Sequence, residues 1–142
     1  MSTILFVDDH HAFRTVFAEV LRNQGHVVLE AGTTADADHI REFHPGPVDL
    51  LIVEAVLGTT NGIELANRLK TSYPGLPALY ISTESPSELR AHRELPEAAP
   101  FLQKPFSAEE FCGKVEELLR QPVSPKDSGA SGARGAPRVR TL

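Results

Sequence analysis

Asp8 and Asp9 close the short apolar run Thr3-Ile4-Leu5-Phe6-Val7, and Glu54 directly follows the apolar residues 50–53. Ser82, then Thr83, follow Ala78-Leu79-Tyr80-Ile81, and Lys104-Pro105 comes shortly after Phe101-Leu102. If each run is a strand of one parallel sheet, these residues all lie beyond strand C-termini, the edge where open α/β sheets bind ligands. Three carboxylates gathered there repel one another, so they raise a pKa or bind a cation. An oxygen-only donor set suits a hard ion such as Mg²⁺, which takes one or two carboxylates, several waters and a phosphate oxygen. Lys104 can pair with Glu54 in a resting site or hold phosphate oxygens in an occupied one. Ser82 can hydrogen-bond a phosphoryl oxygen. The constellation suits phosphoryl chemistry, although each member alone is an ordinary turn or cap residue.

The elements that must position these residues follow from two alternating periods. Phe13, Val16, Phe17, Val20 and Leu21 recur at helical spacing, and Gly25 is a plausible stop. Val27-Val28-Leu29 reads as a second strand. Thr33 or Thr34 can cap a helix carrying Ala37, Ile40 and Phe43, which must end before Pro45. Residues 48–53 form the third strand, and Ile63, Ala66 and Leu69 mark a helix ending near Pro74-Gly75. Residues 78–81 form the fourth strand. Residues 85–93 are expected to make a short fourth helix with Pro86 in its first turn, anchored only by Leu89 and therefore short or mobile. Phe101-Leu102 sits in a fifth strand. Ser107 and Glu110 form a capping box for a last helix with Phe111, Val115, Leu118 and Leu119 on its apolar face. Five strands alternating with five helices predict an α/β fold on a parallel sheet.

The chain has 142 residues, 41% of them hydrophobic and 23% charged, as expected for one globular domain. The expected boundaries are a folded domain over 1–121 and a disordered tail over 122–142, where 12 of 21 residues are Pro, Gly, Ser or Ala. That tail holds Lys126, Arg134, Arg138 and Arg140 against Asp127 alone, so the net charge of −5 is carried by a more acidic body. An acidic body disfavours non-specific nucleic-acid binding and suits cations or a basic protein surface. The single Cys112 excludes an internal disulfide and a Cys/His zinc framework, and it reads as a packing residue. No apolar run reaches a membrane span and no signal peptide is evident, so a cytoplasmic protein is expected. His10 and His11, beside carboxylates only, read as a solvated helix start rather than metal ligands. Gly58 and Gly62 flank a turn, not a phosphate-cradling loop.

Residues 3–120 resemble the response-regulator receiver domain of two-component signalling. The family's acidic pair, strand-3 acid, strand-4 hydroxyl and strand-5 Lys-Pro correspond to Asp8-Asp9, Glu54, Ser82 and Lys104-Pro105. The eight-residue step from Glu54 to Gly62 and the uninterrupted stretch from Ser82 to Lys104 fit as well. The resemblance implies a doubly wound, flavodoxin-like sheet of order 2-1-3-4-5. It also implies Mg²⁺ held by Asp8, Asp9, Glu54 and the Val56 backbone carbonyl, phosphate sensing by Ser82 and Lys104, and an aromatic switch at Phe101. The implied partner is a histidine kinase or another signalling protein, and a homodimer is among the assemblies allowed.

Where the family has its phosphoacceptor aspartate this chain has Glu54, whose carboxylate extends about one C–C bond, roughly 1.5 Å, further. In-line phosphoryl transfer depends on placement, so this predicts a pseudo-receiver, or a mimic of the phosphorylated state, with Mg²⁺ binding weakened or lost. The longer carboxylate is expected to meet Ser82 and Lys104. Gly58 stands where the family often has Pro, which predicts a more flexible loop. With no DNA-binding domain after the body, the expected function is a stand-alone receiver-like protein acting through protein contacts, not an enzyme. The competing reading, a Mg²⁺-dependent phosphatase-like hydrolase on a similar sheet, calls for Asp-x-Asp after the first strand, and Asp8-Asp9-His10 does not supply it. A flavin or nucleotide carrier would need a phosphate-binding loop.

Overall fold

A computed structural model describes residues 1–120, so the expected tail at 122–142 lies outside the described residues. In chain order the elements are β1 (Thr3–Val7), α1 (His11–Asn23), β2 (Val27–Ala31), α2 (Thr34–Phe43), β3 (Leu50–Glu54), β4 (Val56–Leu57), β5 (Thr60–Asn61), α3 (Gly62–Ser72), β6 (Ala78–Ser82), α4 (Pro86–Arg93), β7 (Phe101–Gln103) and α5 (Ala108–Arg120). The main sheet has five strands in the order β2-β1-β3-β6-β7, all pairs parallel. With the small β4-β5 hairpin set aside, this is the expected 2-1-3-4-5 order of a flavodoxin-like sheet.

Strand periodicity sorts the core into two layers, since alternate side chains point to opposite faces. Leu5, Val7, Leu51, Val53, Ala78 and Tyr80 pack with Ala37 of α2, with Ile63, Leu65, Ala66 and Leu69 of α3, and with Leu89 of α4. Ile4, Phe6, Leu50, Ile52, Leu79 and Ile81 pack with Ala18 and Leu21 of α1 and with Phe111, Val115 and Leu118 of α5. Both faces of every central strand are therefore covered, which explains their unbroken apolar runs.

Several local details differ from the sequence expectation. β3 starts at Leu50, not Val48, and takes in Glu54 as its last residue. Val16 is 59% exposed, because Ala18 and Leu21 turn the inward stripe of α1 away from it. Phe43 is 65% exposed at the end of α2 and lies against His39. The N-cap of α1 is His10, whose side chain makes no cap bond. Thr33 caps α2 by accepting from Asp36 N. The turn around Gly58 is a two-stranded hairpin, Val56-Leu57 against Thr60-Asn61, with Gly58 at φ 57°. α4 is short, as expected, with Pro86 in its first turn, and Leu89 is its only buried residue. It also carries a capping box between Ser85 and Glu88, written in the sequence as Ser85-Pro86-Ser87-Glu88. Ser107 and Glu110 cap α5 reciprocally.

Candidate phosphoryl site at the sheet edge

Asp8 and Lys104 each lie two residues beyond an inward-facing neighbour, Phe6 and Leu102, and Glu54 lies two beyond Ile52. By strand parity all three point to the α1/α5 side, where they meet. Lys104 Nζ lies 2.9 Å from Asp8 Oδ2 and 2.8 Å from Glu54 Oε1. The lysine also sits over the Phe13 ring, 4.2 Å from its centroid, a cation–π contact. Phe13 in turn joins Phe17 and Phe106 in an aromatic cluster that continues to Phe111. The Lys104–Pro105 peptide bond at this turn is cis.

The second oxygen of each carboxylate is held by the chain itself. Asp8 Oδ1 accepts from His10 N at 2.9 Å, and Glu54 Oε2 accepts from Val56 N at 3.1 Å. Val56 thus meets the site through its N–H. All of this is largely out of water: Asp8 is fully buried, Glu54 is 6% exposed, and the Lys104 side chain 10%. One ammonium serving two carboxylates leaves the group one negative charge in excess. Burial accordingly pushes the Glu54 carboxyl above the usual carboxylate range, against the pull of Lys104 and Val56. Burial alone would lower the Lys104 ammonium, but its bonds to Glu54 and Asp8 outweigh that and hold it above its ordinary value.

The other expected site residues fall elsewhere. Asp9 is solvent-exposed at the rim, as are His10 and His11. Ser82 is buried, but it follows Tyr80 on the opposite face, and its hydroxyl accepts from Glu84 N at 3.2 Å. The expected meeting of Glu54 with Lys104 therefore occurs, while the expected meeting with Ser82 does not: parity separates them, and the free end of Glu54 is tied to Val56. Ser82 and Lys104 are linked through main chain, Lys104 N–H donating to the Ser82 carbonyl at 2.8 Å. Phe101 is half-buried at the sheet edge, in register with Tyr80 and packed on the α2/α3/α4 layer. Cys112 is half-buried in α5, where burial raises its thiol pKa, in keeping with packing rather than reactivity.

Two residues contribute to the site in ways that sequence spacing did not show. Phe13 shields Lys104, which only the rotation of α1 about its axis reveals. Gly62 opens α3 so close to β3 that a Cβ there would overlap the Glu54 carbonyl, while its N–H donates to Ala55 O at 2.8 Å. Its signal is a glycine at the first position of a helix, where a side chain is normally tolerated.

The donor chemistry of Asp8, Asp9 and Glu54 is that of a hard cation, and receiver domains generally bind Mg²⁺ at their acidic site. The arrangement is another matter. Among the described residues no group of three or more His, Cys, Asp or Glu side chains is placed to hold a metal ion. Each oxygen of Asp8 and Glu54 already accepts a hydrogen bond or ion pair, and the ammonium lies between the two carboxylates. As arranged, Asp8 and Glu54 are turned onto Lys104 and main-chain donors, while Asp9 leaves its carboxylate to solvent.

Comparison with known proteins agrees with this geometry. The chain matches the response regulator receiver domain model over residues 4–116. It is 30% identical over 122 residues to sensor kinase CckA of Brucella abortus (strain 2308), covering 84% of this chain and 13% of the kinase. It is 32% identical over 125 residues to the DNA-binding transcriptional regulator NtrC of Azospirillum brasilense, covering 87% of this chain and 25% of the regulator. The response regulator receiver protein CpdR of Brucella abortus (strain 2308) is 27% identical over 119 residues, with 84% of this chain and 98% of CpdR covered. The chain thus spans a minor part of the first two relatives and nearly all of the third. Among solved structures, the receiver domain of hybrid histidine kinase CckA aligns with a TM-score of 0.69 at 29% identity, covering 84% of this chain and 100% of that one. The non-phosphorylated HemR receiver domain of Leptospira biflexa aligns with a TM-score of 0.72 at 26% identity, covering 86% and 97%. Among the described residues no helix is long and apolar enough to cross a membrane. Sheet order, the buried Asp8–Lys104–Glu54 group and the family match converge: this chain belongs to the response regulator receiver domain family.

Proposed function

We propose that this chain is a pseudo-receiver, a phosphorelay module that signals by protein–protein contact without taking a phosphoryl group at Glu54. The partner class is a histidine kinase or another signalling protein. The observation that carries the reading is the engagement of Glu54: Oε1 on the Lys104 ammonium and Oε2 on the Val56 N–H. An acceptor carboxylate must present a free lone pair in line with the phosphorus and its leaving group. Both Glu54 oxygens are oriented by partners, one on an ammonium and one on an N–H, and its carboxylate lies about 1.5 Å beyond the reach of an aspartate, so the nucleophile is displaced from the in-line position. Its contact with Lys104 places a negative group against the lysine that would otherwise hold phosphoryl oxygens, which favours a fixed output resembling the phosphorylated state.

The test is intact-protein mass spectrometry after incubation with a small-molecule phosphodonor and Mg²⁺. The wild-type mass should stay unchanged, and Glu54→Asp should gain one phosphoryl group. Labelling of wild type at Glu54 overturns the reading and makes the domain an ordinary switch. If neither protein is labelled, a site that has lost its chemistry altogether replaces the displaced-nucleophile account.

A further inference from the structure

We propose that Arg14 is a positioning residue of this site, whose guanidinium fixes the main chain at Asp8 and with it the directions of Asp8 and Asp9. The proposal goes beyond the pseudo-receiver reading, and only its phosphoryl readout rests on that reading. Arg14 lies in the first turn of α1, and its side chain is 11% exposed. Nη1 donates to the Asp8 carbonyl at 2.6 Å, Nε donates to Glu30 Oε1 at 2.9 Å, and Nη2 lies 3.1 Å from His11 Nδ1. One planar fork thus ties the end of β1 to β2 and to the start of α1. Glu30 is held in turn, since its Oε2 meets Arg22 Nη1 at 3.1 Å and Arg22 Nη2 donates to the Val28 carbonyl at 2.9 Å. Gly32 leaves room for the fork: a Cβ there would stand 3.1 Å from Arg14 Nη1.

The two peptide planes that flank the Asp8 Cα set its φ and ψ, the soft backbone angles of that residue. The first plane is held by the Asp8 N–H, which donates to the Ala31 carbonyl at 3.0 Å. The second is held at its carbonyl, by the Arg14 guanidinium. Both anchors refer to β2: Ala31 is its last residue, and Glu30 orients Arg14. With both planes fixed, the Cβ of the fully buried Asp8 has one direction. The second plane also carries the Asp9 nitrogen, and the chain then leads to the His10 N–H that donates to Asp8 Oδ1 at 2.9 Å. Without Arg14 that plane is free to turn, and Asp9 and His10 turn with it. A lysine does not substitute, because its ammonium is a point charge on a flexible stem and cannot span the carbonyl and Glu30 as the fork does.

The experiment compares the full chain with Arg14→Met, Arg14→Lys and a control, Arg22→Met, which removes a partner of Glu30 but no bond to Asp8. Solvent exchange of the His10 amide, read by NMR against the amides of β3, reports the turn. Both Arg14 variants should speed it at least about tenfold, the scale of a hydrogen bond to a charged group, and Arg22→Met should leave it within about twofold. In Glu54→Asp, adding Arg14→Met should slow phosphoryl gain from a small-molecule donor with Mg²⁺ at least about tenfold, because transfer depends on placement. Unchanged His10 exchange in a folded Arg14→Met overturns the proposal, as does an unchanged rate of phosphoryl gain. Full rescue by Arg14→Lys overturns it too, since charge alone would then suffice. An equal effect of Arg22→Met does the same, because the network would then serve stability and not the turn. If circular dichroism shows that Arg14→Met does not fold, Arg14→Lys decides alone. If Glu54→Asp gains no phosphoryl group at all, the displaced-nucleophile account fails, and His10 exchange still decides the role of Arg14.

Discussion

Replacing Leu89 by Ala should release α4 from the domain while leaving the sheet intact. The helix has 8 residues, and Leu89 is its one buried side chain; Leu95, just past the left-handed Glu94, is the next anchor. A helix of two turns does not stand alone in water, so its order comes from docking and capping. The Ser85/Glu88 capping box contributes about 1 kcal/mol and burial of one leucine about 1.5–3 kcal/mol. Leu→Ala in a core costs about 2–5 kcal/mol, and a site at the edge of one layer, free to collapse, belongs near the lower end. A loss of about 2 kcal/mol multiplies the undocked population roughly 30-fold. Hydrogen exchange read by mass spectrometry should show residues 86–94 exchanging about 30-fold faster in the variant. Residues of β1, β3 and β6 should be slowed as before. If wild-type residues 86–94 exchange as slowly as β3, or if Leu89→Ala accelerates every segment equally, α4 opens only with the whole domain and the reasoning fails.

Gly62→Ala should lower the urea midpoint by more than an ordinary Gly-to-Ala change in a first helical turn, because the new Cβ overlaps the Glu54 carbonyl and β3 or α3 must move. Tyr80→Phe should raise stability by about 1 kcal/mol, since the Tyr80 hydroxyl is buried without a hydrogen-bond partner among the described residues, and an unchanged or lower midpoint would contradict this. Alkaline pH should destabilise the fold through Lys104. Its folded pKa is raised, so its contribution is complete below lysine's unfolded value of about 10.4 and is lost as pH climbs through the higher folded value. Melting temperatures from pH 9 upward should fall more steeply in wild type than in Lys104→Gln, and parallel curves would refute the assignment.

The sheet was readable from the sequence because its central strands are apolar on both faces and end in polar residues, so runs such as 4–7 and 50–53 mark both the strand and the site beyond it. The Glu54–Lys104 contact follows from the same rule, since both residues lie just past the inward stretch of neighbouring chain. Ser82 shows where the rule stops. Strand ends converge, but whether two end residues touch depends on parity, and Ser82 falls on Tyr80's face while Glu54 falls on Ile52's. Helix rotation was less legible. Phe13, Val16 and Phe17 all fit one stripe by spacing, yet Val16 is exposed and Phe13 is drawn toward Lys104, because Ala18 and Leu21 set which side of α1 meets the sheet. The hairpin after β3 is too short to show a period at all.

The parity that splits the site also decides how a signal can cross the domain. The charged group belongs to the α1/α5 layer, whereas Ser82, Tyr80 and Phe101 belong to the layer that holds α4. The strand ends between them are tied by main chain, Lys104 N–H to the Ser82 carbonyl and Ala55 N–H to the Ile81 carbonyl, at 2.8 and 2.9 Å. The two layers thus meet at the site through the backbone of β6 rather than through side chains in contact. Any coupling between docking of α4 and closure of the Lys104 bridge therefore runs through these main-chain bonds, and it is equal in both directions.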